Sequence, residues 1–159
     1  MPKTAKNPET NRITLDAALF QGDKKEINEL RCSELRFSSL AHLTFSDEKA
    51  LAEPAEIFYY AVAVGTKKDL LDLYRSDTSL TRGRPESVTG GLLLCKGLSS
   101  IDLMYYDAEG EAHESWDSLE SGSEGKPPSR VSILLEFPNS TDPERPFKFM
   151  TGVAIPMGG

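Results

Sequence analysis

The chain has 159 residues, of which 38% are hydrophobic and 27% are charged, and its formal charge is -7 at neutral pH. This size and composition predict one soluble domain spanning 1–159 with a core of its own. The acidic balance disfavours unassisted binding to nucleic acid or to an anionic membrane surface, because both favour basic patches; the alternative is that the acidity only maintains solubility.

The first third of the chain gives mixed signals. Residues 1–12 are polar and are expected to be flexible, and Ile13–Phe20 is too short for its periodicity to separate a helix from a strand. Ser46–Ala52 begins with a capping serine followed by acidic residues, which predicts one helical turn that Pro54 stops. Helix is therefore expected to be a minor component.

Strand signals dominate after this point. Ala55–Val64 is rich in aromatic and β-branched residues, which predicts a strand buried on both faces. A connection containing glycine leads to Leu70–Arg75, so the two segments predict a hairpin. Leu98–Asp107 alternates, with Ile101, Leu103 and Tyr105 on one face, and the turn after it predicts a return arm at Glu111–Trp116.

Two more strands are predicted near the end of the chain, with surface loops at 117–129 and 138–146. Arg130–Phe137 alternates cleanly, and in Phe147–Ile155 a second alternation is interrupted at Gly152, which predicts a bulge or a close approach. One face of each strand collects apolar side chains, namely Val131, Ile133, Leu135 and Phe137 in the first and Phe147, Phe149, Val153 and Ile155 in the second. We therefore predict an α+β fold that is predominantly antiparallel β.

The sequence contains no recognisable catalytic constellation. Neither His42 nor His113 has a second histidine at helical zinc spacing, and no serine lies in a Gly-x-Ser-x-Gly element. Gly90-Gly91 and the region of Gly83 lack the lysine and hydroxyl residue of a phosphate loop. We therefore predict a binding or structural protein and not an enzyme, with no catalytic residue, metal or cofactor.

Three features remain open. Cys32 and Cys95 are a candidate disulfide, with two unpaired, half-buried thiols as the alternative. Trp116 is a candidate partner contact, because tryptophan is enriched in interface hot spots, with packing at the core or its rim as the alternative. Two groups of acidic residues predict a solvated acidic rim. A calcium site is the less favoured alternative, because the spacing matches no EF-hand loop. The groups are Asp102, Asp107, Glu109 and Glu111, and Asp117, Glu120 and Glu124.

The order of several segments carries more information than any one of them. The segments are Leu35–Ser39, Pro54–Tyr60, Leu73–Arg75, Leu92–Leu98, Tyr105–Gly110, Trp116-Asp117 and Pro128–Ile133. In this order they resemble the β-rich head of the J-type minor pseudopilins of bacterial type II secretion systems. The resemblance covers Leu35–Pro156, which is most of the chain.

This resemblance implies a structural role. The fold would be a pseudopilin-like head with little helix of its own, and an apolar helix upstream of Met1 in the natural protein would anchor it in the inner membrane, with the head in the periplasm. Its partners would be the I-type and K-type minor pseudopilins. Together they would form a tip complex that primes a short pseudopilus, which drives folded proteins through the outer membrane.

Other protein classes fit the same composition. A minor pilin of a type IV pilus would share the anchor and the architecture. A periplasmic ligand-binding β domain would instead need a deep pocket, lined by aromatic residues such as Phe58, Tyr60 and Tyr106. A hydrolase with a site that no motif reveals is the third alternative.

Overall fold

A computed structural model describes residues 19–39, 54–80, 90–120 and 125–156. Within these ranges the chain forms no α-helix, and all pairings between the named strands are antiparallel, so the predicted antiparallel β-rich character is confirmed. The predictions for residues 1–12, His42 and Ser46–Ala52 lie outside the described residues. The strands are β1 (Phe20–Asp23), β2 (Glu26–Ile27), β3 (Leu30–Arg31), β4 (Glu34–Ser39), β5 (Ala55–Val64), β6 (Lys67–Ser79), β7 (Leu92–Leu98), β8 (Ser100–Tyr106), β9 (Ala112–His113), β10 (Trp116–Asp117), β11 (Arg130–Phe137) and β12 (Phe147–Ala154).

The strands form two main sheets and one small hairpin. The first sheet has the order β10-β1-β4-β5-β6-β7, the second has the order β12-β11-β8-β9, and β2 pairs with β3. The predicted hairpin is β5 with β6, joined at Gly65-Thr66 and in register from Ala55 opposite Ser79 to Ala63 opposite Leu71. Burial of successive residues occurs only in the first four positions of β5, so this strand is buried on both faces over less than half its length.

The core lies between the two main sheets, because each buried cluster takes residues from both. Phe20 of β1 packs with Leu103 and Tyr105 of β8 and with Val131 of β11. A second cluster contains Cys32, Leu71, Leu98 and Ile101. The alternation predicted for β8 is therefore confirmed, since Ile101, Leu103 and Tyr105 are all buried.

The chain crosses from the first sheet to the second between β7 and β8. Only Ser99 separates the two strands, and Gly97 has a φ of 73°, a left-handed conformation that favours glycine. The N–H of Gly97 donates to Oδ1 of Asp72 at 3.1 Å, and the N–H of Ser99 donates to the carbonyl of Glu136 at 2.8 Å. These two bonds fix the corner to both sheets and place Leu98 and Ile101 in the same cluster.

The two predicted loops lie on either side of β11. Residues 138–146 connect β11 to β12. The predicted loop 117–129 is attached to the fold at both ends, because Asp117 pairs with Gln21 of β1 and Pro128 is fully buried. The prediction of a bulge or a close approach at Gly152 is wrong. The register between β11 and β12 runs without a shift from Arg130 opposite Ala154 to Phe137 opposite Phe147, and a Cβ on Gly152 would have its nearest neighbours at 3.9 Å.

Candidate interaction surface

Strand β12 is the most exposed regular element in the described residues. All eight of its residues are exposed, and it lies at the edge of the second sheet with β11 on one side. Pro146 and Pro156, which have no backbone N–H, flank the strand and its last extended residue, Ile155. A long, apolar edge strand is a ready template for another strand, so β12 is the first candidate for an interaction surface.

The apolar side chains of β12 continue the core face of the sheet. Phe147, Phe149 and Val153 are paired with Phe137, Leu135 and Val131 of β11, which belong to the core clusters or pack against them. Residues directly opposite in an antiparallel pair point to the same face. The exposed fractions of these three β12 side chains are nevertheless 55%, 62% and 49%. The core face of this sheet therefore extends beyond the part that the described residues cover.

One hydrogen bond fixes which backbone groups of β12 point away from β11. The N–H of Ile155 donates to the carbonyl of Ser129 at 2.8 Å, immediately beyond the paired strands. Bonding direction alternates along an antiparallel strand, and the register here is unbroken. The outward N–H and C=O groups therefore belong to Lys148, Met150, Gly152 and Ala154. Within the described residues no strand pairs with this edge.

Charge does little to protect this edge. Lysine on an edge strand commonly discourages further pairing, and Lys148 is the sole charged residue of β12. Its Nζ lies 3.1 Å from Oε1 of Glu136 on the neighbouring strand, so part of its charge is offset. Burial raises the pKa of Glu136, but hydrogen bonds from Lys148 and Ser100 outweigh this and lower its pKa overall. On its other face β12 presents Met150, which is 76% exposed.

Trp116 is a packing residue at the rim of the core in this structure. Its ring packs against the cluster around Tyr105 and lies nearly perpendicular to the ring of His113, with centroids 5.7 Å apart. The indole N–H donates to the carbonyl of Lys126 at 3.0 Å. This is the alternative that we gave for Trp116, and a contact of its half-buried ring with a partner stays a prediction.

The two cysteines are free thiols that pack in the same region. Cys32 is buried and Cys95 is half-buried, and both belong to the cluster around Leu71 and Leu98. Burial, followed by the nearby charge of Glu34, raises the pKa of Cys32, which keeps this thiol protonated and unreactive. The arrangement matches the unpaired alternative given above.

The proposed aromatic pocket does not assemble from its predicted residues. Phe58 and Tyr60 stack with ring centroids 5.1 Å apart on β5 of the first sheet, and Tyr60 stacks in turn on Tyr74. Tyr106 lies in the second sheet, where the guanidinium of Arg130 covers its ring at 3.9 Å. Phe58 is buried, whereas Tyr60 and Tyr106 are half-buried. The three rings divide between separate sheets and stack on different neighbours, so they line no common site.

Part of the predicted acidic rim is organised by the turn between β8 and β9. Oδ1 of Asp107 accepts the backbone N–H groups of Glu109 and Glu111, and Oδ2 lies 2.8 Å from Nε2 of His113. The side chains of Asp107, Glu111 and His113 approach one another closely enough to be metal ligands. Both Asp107 oxygens are already hydrogen-bonded, so the geometry shows a clasp that closes the hairpin. Asp102 is held elsewhere, by Arg31 and Lys24.

Replacing Asp107 with asparagine should remove a pH-dependent part of the stability. The hydrogen bond from His113, with those from Glu111 and Glu109, holds the pKa of Asp107 below its usual range, against an opposing effect of desolvation. A lowered folded-state pKa stabilises the fold above the unfolded pKa of about 4, and this stabilisation disappears as pH falls through the folded value. In urea unfolding, the difference between wild type and Asp107→Asn should be present at about pH 5 and shrink as the pH falls below about 4. A difference that persists to the lowest pH would contradict the clasp.

Sequence reasoning did not find β12 as a surface. The alternation of Phe147, Phe149 and Val153 correctly predicts that these side chains share one face of the sheet, and it does not predict that this face is exposed. Periodicity reports which side chains share a face, and it carries no information on whether another layer covers that face. The two flanking prolines and the lone Lys148 were the available signals, because both are typical of edge strands.

Comparison with known proteins adds no family to this picture. No protein-family model matches the chain, and no curated protein matches it. Among the described residues, no helix is long and apolar enough to cross a membrane.

Proposed function

We propose that this protein is a structural subunit that works by binding other subunits, in the form of a J-type minor pseudopilin head of a type II secretion system. The observation that carries the proposal is β12, an exposed edge strand with three apolar side chains on the core face of its sheet. A monomer gains nothing from exposing this surface, whereas a subunit that joins a neighbour buries it.

The ordered segment resemblance and the antiparallel fold support the choice of this class. The predominance of strands in the described residues supports the proposal, because a pseudopilin-like α+β head would require a β-rich part. In the proposed protein, an apolar helix ahead of Met1 anchors the head to the inner membrane and keeps it in the periplasm. The partners are the I-type and K-type minor pseudopilins, and neither nucleic acid nor a cofactor takes part.

The contact follows from the backbone of β12. A strand from a neighbouring head adds to the outward N–H and C=O groups of the even-numbered residues, and main-chain hydrogen bonds supply much of the affinity. Phe147 and Phe149 supply apolar area that is buried when the neighbour covers the core face. Large aromatic residues at the centre of such a contact dominate binding energetics.

The proposal can be tested by blocking the edge of β12 without disturbing the fold. Met150→Pro removes an N–H that points away from β11, so the internal ladder stays complete and the outer edge loses a donor. Met150→Thr is the matched control, because it changes the same exposed side chain and keeps the N–H. The chain and each variant would be co-expressed with the I-type and K-type heads of the same organism.

We expect the wild-type chain and Met150→Thr to co-purify with the heads, and Met150→Pro to lose at least about tenfold in affinity, which corresponds to about 1.4 kcal/mol. Thermal unfolding of the separate chain should be similar for both variants. Absence of any complex with the wild-type chain would overturn the proposal, as would an upstream reading frame without an apolar helix. Neighbouring genes for pseudopilins and a secretion ATPase would support it, and neighbours for sugar metabolism would count against it.

A further inference from the structure

We infer that β12 also binds a second copy of this chain, with the two β12 strands antiparallel about a twofold axis at Thr151. The pairing joins two four-stranded sheets into one sheet of eight strands. This inference rests on the proposed function, because both use β12 as the contact strand. It goes further by naming a second copy of the chain as the partner that pairs with β12 when no other subunit is present. The arrangement is isologous, so it closes as a dimer and does not propagate.

The sequence of the strand is self-complementary about Thr151. Pro146 and Pro156 lie five residues to either side, so both copies begin and end their pairing together. Large side chains occupy the first half of the segment and smaller or β-branched side chains the second half. An axis at Thr151 places each large residue opposite a smaller one, in the pairs Phe147–Ile155, Lys148–Ala154, Phe149–Val153 and Met150–Gly152.

The faces of the two sheets agree in this register. Phe149 and Val153 both lie on the core face of their own sheet, so their pairing continues the apolar face of one copy into that of the other. Aromatic and β-branched residues in directly opposed positions stabilise antiparallel pairs. On the opposite face, Met150 meets Gly152, whose lack of a side chain leaves room for the thioether; no residue of the described fold packs tightly on this glycine.

The backbone hydrogen-bonding groups of the two strands also match in this register. Even-numbered residues direct their N–H and C=O groups away from β11, so Met150 and Gly152 of the second copy exchange two hydrogen bonds, as do Lys148 and Ala154. Thr151 then faces its own copy as a non-hydrogen-bonded pair, in which Cα atoms are about 4.5 Å apart. An axis one residue earlier would place Met150 against itself and leave Ile155 outside the pairing.

Electrostatics permits the contact along this edge. Each copy has a formal charge of -7, so two copies repel one another at long range. Strand β12 contains no carboxylate, and Lys148 is already paired with Glu136 and opposes Ala154 of the second copy. The close contact therefore brings no like charges face to face. Raising the ionic strength should increase the dimer fraction, because salt screens the long-range repulsion.

A cysteine on the twofold axis tests the pairing and its register together. In Thr151→Cys, the two introduced thiols face each other within the Cα separation that a disulfide requires. In Met150→Cys, each introduced thiol instead lies diagonally from its copy, beyond easy bridging. The wild-type chain controls for Cys32 and Cys95, which are buried and half-buried. Mild oxidation followed by non-reducing electrophoresis measures the fraction of linked dimer.

We expect Thr151→Cys to form linked dimer on the order of tenfold faster than Met150→Cys, with little from wild type. Sedimentation velocity from micromolar to submillimolar concentration should show wild type moving from monomer to dimer and Met150→Pro staying monomeric. Equal linking of the two cysteine variants, or a wild-type chain that stays monomeric throughout, would overturn the inference. If the wild type is monomeric but binds I-type and K-type heads through β12, the dimer inference fails and the proposed function stands. If the wild type forms the dimer but binds neither head, the proposed function fails and the dimer inference stands.

Discussion

Replacing Gly22 with alanine should destabilise the fold by about 3 kcal/mol, the top of the usual range for overpacked cores. A Cβ on Gly22 would overlap Oη and Cζ of Tyr105. Tyr105 is fully buried between the sheets and cannot move aside without displacing its cluster. Because natural domains are stable by only about 5 to 15 kcal/mol, the variant should show a large fall in its unfolding midpoint.

Gly65→Ala is the matched control, because nothing lies within 4 Å of a Cβ at that exposed turn. Its free energy of unfolding should stay within about 0.5 kcal/mol of wild type. A double-mutant cycle with Tyr105→Leu identifies the cause, since leucine lacks the ring atoms that the new methyl group meets. The double variant should be less destabilised than the two single effects added together. Simple additivity would show that Gly22 is needed for some reason other than Tyr105.

The environment of Tyr105 shows what sequence reasoning can and cannot provide. Alternation along β8 correctly predicts that Ile101, Leu103 and Tyr105 share a buried face. The same pattern cannot reveal that the phenol ring lies over the backbone of Gly22, because the two residues are far apart in sequence. Burial, with the nearby charges of Asp23, Asp102 and Glu34, raises the pKa of Tyr105, so its hydroxyl stays protonated.

The sheet order shows a similar division. The hairpin of β5 and β6 was predictable, because two strand-like segments adjoin a short turn with glycine. The corner at Gly97, where the chain leaves one sheet for the other, gave no local signal beyond a glycine in an apolar run. Long-range pairings such as β1 with β10 depend on packing between distant segments, and no window of sequence contains that information.

The candidate surface was predictable in composition but not in location. The sequence indicates an acidic chain without a catalytic motif, and this favours binding over catalysis. The location of the surface depends on β12 being the last strand of its sheet and on the absence of a described element over Phe147 and Phe149. Both facts are properties of the assembled sheets, and they decide that an alternation typical of a core strand becomes an exposed apolar edge.

Replacing Ser33 with alanine should destabilise the fold by about 1 to 3 kcal/mol, because it leaves a buried donor unpaired. Ser33 lies after β3, and its Oγ accepts the backbone N–H of Leu103 at 3.1 Å. Its own N–H donates to the carbonyl of Ile101 at 2.8 Å. These two bonds satisfy the N–H of Leu103 and the carbonyl of Ile101, which point away from β11. They also connect the second sheet to the segment that enters β4. Alanine keeps the second bond and removes the first.

Ser99→Ala is the same chemical change with the opposite expected result. Oγ of Ser99 is buried and has no hydrogen-bond partner among the described residues, so its removal leaves no group newly unpaired. Deleting an unsatisfied hydroxyl should be neutral or stabilise the fold by up to about 1 kcal/mol. Urea unfolding of both variants, compared at unchanged m-value, isolates the difference. Equal losses in the two variants would mean that the buried serines act through packing alone, and the bond from Leu103 to Ser33 would then not be the connection between the sheets.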